Sequence, residues 1–131
     1  MPLEGLWWTP DMATFSTEDK SQWEWTLMIA VPALFTADVV EDARAAAARK
    51  HPRAPLDAVR LERLAEGRCA QVLHVGPYST EGPTVAALHA FIAEYEYVLV
   101  GKHHEIYLGD PRRSAPEKLR TIVRQPVARG S

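Results

Sequence analysis

Hydrophobic and polar positions alternate one by one along several short stretches of the chain, and recur at helical spacing along two longer ones. "LEGLWW", residues 3–8, and "WEWTLMIAV", residues 23–31, predict two strands, with Trp23, Trp25, Leu27, Ile29 and Val31 sharing a face of the second. Pro32 then interrupts the ladder. Residues 9–22 between them are polar and turn-rich and predict a loop with at most one helical turn. From Thr36 the period lengthens. "TADVVEDARAAAARK" predicts a helix capped by Thr36 or Asp38, with acids early, bases late, and a thin apolar stripe of Val39, Val40, Ala43, Ala46 and Ala47. Residues 58–64 and 68–75 predict a hairpin turning at Glu66-Gly67. A second helix is expected over roughly 83–95 with Pro83 in its first turn, and Val85, Leu88, Phe91, Ile92 and Tyr95 facing the sheet. Residues 103–108 and "KLRTIVRQP", residues 118–126, complete the strands, the last ended by Pro126. The sum is an α+β fold, an antiparallel sheet with two helices, read as a single domain over 1–131.

Composition narrows the function without naming it. With 131 residues, 47% of them hydrophobic and a net charge of -2, the chain holds one real core and lacks the concentrated basic face of a nucleic-acid binder. The arginines and lysine of the C-terminal stretch are interleaved with Asp110 and Glu117, as on a solvated surface. No apolar run is long enough for a bilayer, which needs roughly 20 residues, and no secretory start is seen. A single cysteine, Cys69, excludes an internal disulfide; it fits a reducing cytoplasm and a packing role in its strand.

The chemistry concentrates in "GKHHEIYLGDP", residues 101–111. Strand alternation sends His104, Ile106 and Leu108 one way and His103, Glu105 and Tyr107 the other, and Gly109-Asp110-Pro111 ends the strand. The helical His-Glu-x-x-His spacing of a zinc protease is absent. His103 and Glu105 with His74 or His89 do not by spacing demand a metal, so none is expected, and no glycine-rich phosphate loop or serine elbow indicates a cofactor or nucleophile. Four tryptophans, Trp7, Trp8, Trp23 and Trp25, fall within the first 25 residues. Each alone reads as a core or edge filler; together they suit the wall of an aromatic-lined pocket. Glu4 reads equally as a strand-edge acid or a pocket residue. Glu105 is the sharper case, because an acid central in a strand is costly to bury. Aromatic walls around it raise its pKa, which suits acid–base work, whereas an ionised Glu105 attracts a cationic or polarised ligand.

"PLEGLWW", "STEDKSQWEWTLMIAVP", "EGRCAQVLHVGPYSTEGPT" and "GKHHEIYLGDPRRSAPEKLRTIVRQPV" together resemble the GyrI-like small-molecule-binding family over essentially the whole chain, and most of all its stand-alone branch ending in an HHEIYLSDPRR-type segment. The resemblance implies two pseudo-symmetric β-α-β-β (SHS2) modules around a ligand cleft into which Glu105 reaches, with Tyr107 on the same face. It implies binding of small aromatic or cyclopropane-bearing molecules and hydrolysis of cyclopropanoid alkylating toxins, with Glu105 and Tyr107 catalytic. Glu4, Trp7, Trp8, Trp23, Trp25 and His103 are the expected ligand-binding residues. Other members of the family sense drugs without chemistry or inhibit DNA gyrase, so a non-catalytic drug-binding module and a gyrase-interacting protein stand as alternatives. Relatives of this branch carry a further strand and helix ahead of "MPLEGLWW", so the first module is expected to be incomplete. A chain cut short, a misplaced start, or a shortened protein completing its sheet with a partner subunit would each account for this. The uncovered edge and apolar face imply dimerisation or poor solubility if the chain is whole.

Overall fold

The computed structural model describes residues 1–12, 15 and 19–130, and these form two compact units, Met1–Ile29 with Glu66–Ser131, and Ala30–Ala65. The first unit contains the whole sheet: β1 (Leu3–Trp8), β2 (Glu24–Ile29), β3 (Cys69–Val75), β4 (Tyr97–Leu99), β5 (His103–Tyr107) and β6 (Arg120–Arg129). The path runs β2-β1-β5-β6-β3, with β4 paired to β6 beside it, and every pairing is antiparallel. The α+β class and the antiparallel sheet with two helices agree with the sequence, and β1 occupies the expected residues. Among the described residues, no helix is long and apolar enough to cross a membrane.

Helix α2 (Glu81–Glu94) lays Val85, Leu88 and Ile92 against Val123 and Val127 of β6, with Ala70 and Val72 of β3 packed around them. Two residues expected on that face, Phe91 and Tyr95, instead pair with each other at 4.7 Å on the exposed flank. The stripe of this helix runs through positions 81, 85, 88 and 92, so Phe91 and Tyr95 fall at its edge. The strand β6 does not stop at Pro126 but continues to Arg129. Its partner on one side changes there, from β5 over Thr121–Arg124 to β4 over Val127–Arg129. Pro126 falls in the gap between those partners, and its carbonyl still accepts from the Val100 N–H at 3.0 Å. The short β4, missed in the sequence, fills that side after Glu96, which takes the left-handed turn at φ 62° usually left to glycine or asparagine.

The second unit holds α1 (Ala37–Lys50), capped as expected by Thr36, whose hydroxyl accepts from the Val39 N–H at 3.4 Å. None of its residues is buried, in keeping with its thin stripe. The strand expected over 58–64 does not form. Leu56–Ala58 make a tight turn, and the carbonyls of Leu56 and Val59 accept from the Arg44 guanidinium, the latter at 2.6 Å. Alternation at Val59, Leu61 and Leu64 thus had no ladder to join, and only β3 of the expected hairpin exists. The glycine of that turn, Gly67, does adopt the positive φ expected of it, 71°.

On β2 the alternation is right, but Trp25, Leu27 and Ile29 stay exposed, at 59%, 47% and 59%, and the strand is an edge of the sheet. Trp23 and Val31 lie outside the strand. Of the loop expected over 9–22, residues 13, 14 and 16–18 lie outside the described residues.

Candidate functional site

The site is built on β5. This strand pairs with β1 on one edge and β6 on the other, so neither edge is open. His103 is fully buried and Glu105 is 6% exposed. Alternation and register put Glu105 opposite Gly5 of β1 and Val123 of β6, with His103 and Tyr107 on the same face. His103 Nε2 donates to Glu105 Oε2 at 2.7 Å, while among the described residues the buried Nδ1 meets no hydrogen-bond partner. That places the ring hydrogen on Nε2, since a hydrogen on Nδ1 would be left unserved at a cost of about 1–3 kcal/mol.

Tyr107 accepts a hydrogen bond from the Trp7 indole N–H at 3.0 Å. Among the described residues its own hydroxyl hydrogen meets no acceptor and is available to donate. Burial, with the charge of Glu105 next, holds this phenol protonated far above its ordinary range. Tyr78 meets it edge-on at 5.8 Å and 83°, and burial raises its pKa too, with Glu81, Glu105 and Asp110 adding to the shift. Around these groups stand rings: Trp7 lies 5.7 Å from Trp23 and 6.1 Å from Trp25, and Phe15 stacks on both Trp23 and His103.

The acid that sequence reasoning missed is Glu81, the first residue of α2, which is 8% exposed. Its pKa is pushed up to about 8, first by burial, then by the charge of Glu105 and a hydrogen bond to it, against a small opposing pull from Lys20. A helix N-terminus favours a charged carboxylate by only about 0.3–1 kcal/mol, which does not offset loss of water together with a like charge. Glu81 and Glu105 therefore form a buried pair of acids in which the raised pKa of Glu81 keeps that carboxyl protonated at neutral pH. The signal was present in the sequence: the apolar stripe of α2 at 85, 88 and 92 extends back four residues to Glu81, so an acid occupies a core-facing position. His89, on the same helix, has its pKa lowered by burial and then by His103.

Of the residues singled out in the sequence, Glu105, Tyr107, His103, Trp7, Trp23 and Trp25 come together on this side of the sheet. Glu4 and Trp8 do not, because register places Glu4 opposite Ile106, on the reverse face. There Glu4 meets His104 Nε2 at 2.8 Å, Glu66 meets His104 Nδ1 at 2.9 Å, and Arg124 reaches Glu66 at 3.4 Å. That cluster ties β1, β5, β6 and the segment before β3 together. Trp8 lies under the Lys102 ammonium at 3.6 Å. His74, weighed as a metal ligand, is occupied by Thr84 and the Pro77 carbonyl, and no group of side chains among the described residues is arranged to hold a metal ion. A hollow of about 340 Å³ opens between α2, β3 and β4, lined by Phe91, Tyr95, Tyr97 and Arg68, but it contains neither acid.

Gly5 is the floor under the Trp7–Tyr107 contact. A methyl group there would stand 2.7 Å from Trp7 Nε1 and 3.1 Å from the Tyr107 hydroxyl oxygen. Gly5→Ala is therefore expected to cost about 1–3 kcal/mol of stability, the range for overpacking, as read by denaturant titration. Unchanged stability would mean that the indole has room to move aside.

The model of the GyrI-like small molecule binding domain matches residues 1–128. Among solved structures, an uncharacterized conserved protein from Listeria innocua is 43% identical, with a TM-score of 0.86, over 97% of this chain and 63% of its own. A hydrolase from the same organism is 40% identical with a TM-score of 0.80, over 97% and 62%. The chain thus spans less than two-thirds of the length of these neighbours. A comparison against curated proteins finds no match.

Proposed function

We propose, since this chain belongs to the GyrI-like family of small-molecule-binding domains, that the Glu81–Glu105 face binds flat, hydrophobic electrophiles and adds water to them, cyclopropanoid toxins being the substrate class. The observation that carries the reading is the buried carboxyl pair, with Glu81 raised to about 8, set beside a protonated phenol and under aromatic rings. A carboxyl group whose surroundings raise its pKa to the working pH is suited to the role of acid. A structural neighbour named as a hydrolase supports the same direction.

The chemistry follows from the groups present. Trp7, Trp23 and Trp25 stack on the ligand. Glu105, held by His103, takes a proton from water as the water oxygen bonds to a cyclopropane carbon. The strained carbon–carbon bond breaks and its electron pair moves through the conjugated ring system to the carbonyl oxygen. Tyr107 donates a hydrogen bond to that oxygen as it gains charge, its own oxygen fixed by the Trp7 N–H. The acid pair, now holding two protons, returns one to the product oxygen and ends with the one it began with. Water has been added and nothing else is consumed.

Tyr107→Phe keeps the ring and removes the donor. It is expected to lower turnover of a spiro-cyclopropyl cyclohexadienone about tenfold or more with little change in binding, since the hydrogen bond strengthens only as charge develops. Parallel kcat and tryptophan-quenching titrations measure the two effects. Equal losses in both would assign Tyr107 to binding alone. In the alternative reading, a drug-binding module without chemistry, tryptophan quenching saturates and no product forms.

A further inference from the structure

Phe15 occupies a position that the sheet did not require it to fill. It comes from the connection between β1 and β2, not from a strand, and its ring stacks on Trp23 at 5.0 Å and 13° and on His103 at 5.1 Å and 28°. His103 in turn grips Glu105. A ring lying nearly parallel to both, one residue away from the base, is where a flat ligand ring would have to lie to be stacked and presented to Glu105.

We propose that Phe15 is a built-in stand-in for the ligand: the ring position against Trp23 and His103 is a stacking subsite for a planar aromatic group, and the ligand enters it by displacing Phe15. This rests on the reading that the Glu105 face is the ligand site. The physics favours exchange of one ring for another. The stacking that Phe15 gives up is restored by the incoming ring, so the exchange is nearly balanced. His103 is fully buried on the central strand, whereas Phe15 is only partly buried and lies outside the strand ladder, so Phe15 is the partner that yields. The ligand class is therefore one that carries a planar aromatic ring.

A native ring in the subsite lowers apparent affinity by the fraction of time the subsite is filled. Calorimetric titration with indole-2-carboxamide is thus expected to show Phe15→Ala binding about three- to tenfold tighter than the unaltered chain, the span of one aromatic pair. In the unaltered chain, proton resonances of the Phe15 ring should lose their ring-current shifts as the amide saturates the site. Equal or weaker binding by Phe15→Ala, or Phe15 resonances unmoved at saturation, would overturn the proposal and make Phe15 a fixed wall, while leaving the ligand site in place. Absence of binding by both proteins would overturn it together with the reading on which it rests. The resonance measurement decides the matter even if the substituted chain folds poorly.

Discussion

Replacing Glu105 by glutamine is expected to slow water addition about a hundred- to ten-thousand-fold, the usual weight of a positioned general base. The substitution is nearly isosteric. The glutamine carbonyl oxygen still accepts from His103 Nε2, so the fold and the aromatic rings persist while the proton acceptor is lost. A second consequence follows from the pairing. Charge on Glu105 is the second largest cause holding Glu81 up near 8, so Glu105→Gln should also bring the Glu81 pKa down. Single-turnover kinetics and carboxyl titration by carbon-13 resonance check the two effects separately. Unchanged turnover would remove Glu105 from the chemistry.

Glu81 gives the other large effect, and its sign differs from that of most carboxylates. Its folded pKa of about 8 stands above its ordinary value of 4.5. Between those values the unfolded chain has lost the proton and the folded chain keeps it. The stabilising contribution is therefore complete below pH 4.5 and is lost as pH rises towards 8, at no more than about 1.4 kcal/mol per pH unit. Above 8 the loss levels off. Turnover should fall across the same upper limb, because Glu81 then has no proton ready for the product oxygen while Glu105 takes one from water. Glu81→Gln is expected to flatten the stability profile, erase the alkaline limb and lower kcat about a hundredfold. Denaturant midpoints and kcat across pH 4 to 10 provide the check (about one measurement per half unit suffices to resolve a one-proton limb). An alkaline limb surviving in Glu81→Gln would assign it to another group.

How much of this was legible beforehand depends on whether the deciding constraint was local. Alternation in "HHEIYL" gave the face shared by His103, Glu105 and Tyr107 correctly, because a strand's side-chain period follows from backbone geometry alone. The same rule could not place Glu4: that needed the register between β1 and β5, which is set by pairing partners distant in sequence. Residues 58–64 alternate as well as β3 does, yet carbonyls at their start bond the Arg44 guanidinium of α1 and no ladder forms. Pro126 looked like a terminator because Pro lacks a donor, and only the change of partner along β6 shows where that donor is not missed. Glu81 was readable from helical spacing but was hidden by a polar "YSTEG" context that resembles a loop. Its role also needed the closeness of Glu105, a residue far from it in the chain. The tryptophans show the same division. Trp7 and Trp25 follow from period two, whereas the hydrogen bond between Trp7 and Tyr107 depends on Gly5 leaving space.

In the proposed reaction, the buried acids Glu81 and Glu105 exchange protons with water and product as a strained electrophile is opened turn after turn. The decisive experiment incubates the chain with excess spiro-cyclopropyl cyclohexadienone in heavy-oxygen water and weighs both product and protein by mass spectrometry. Many equivalents of ring-opened alcohol carrying the heavy oxygen are expected, with a protein of unchanged mass. A protein heavier by one molecule of the electrophile, with consumption stopping at one equivalent, would refute repeated water addition, as would an electrophile recovered intact.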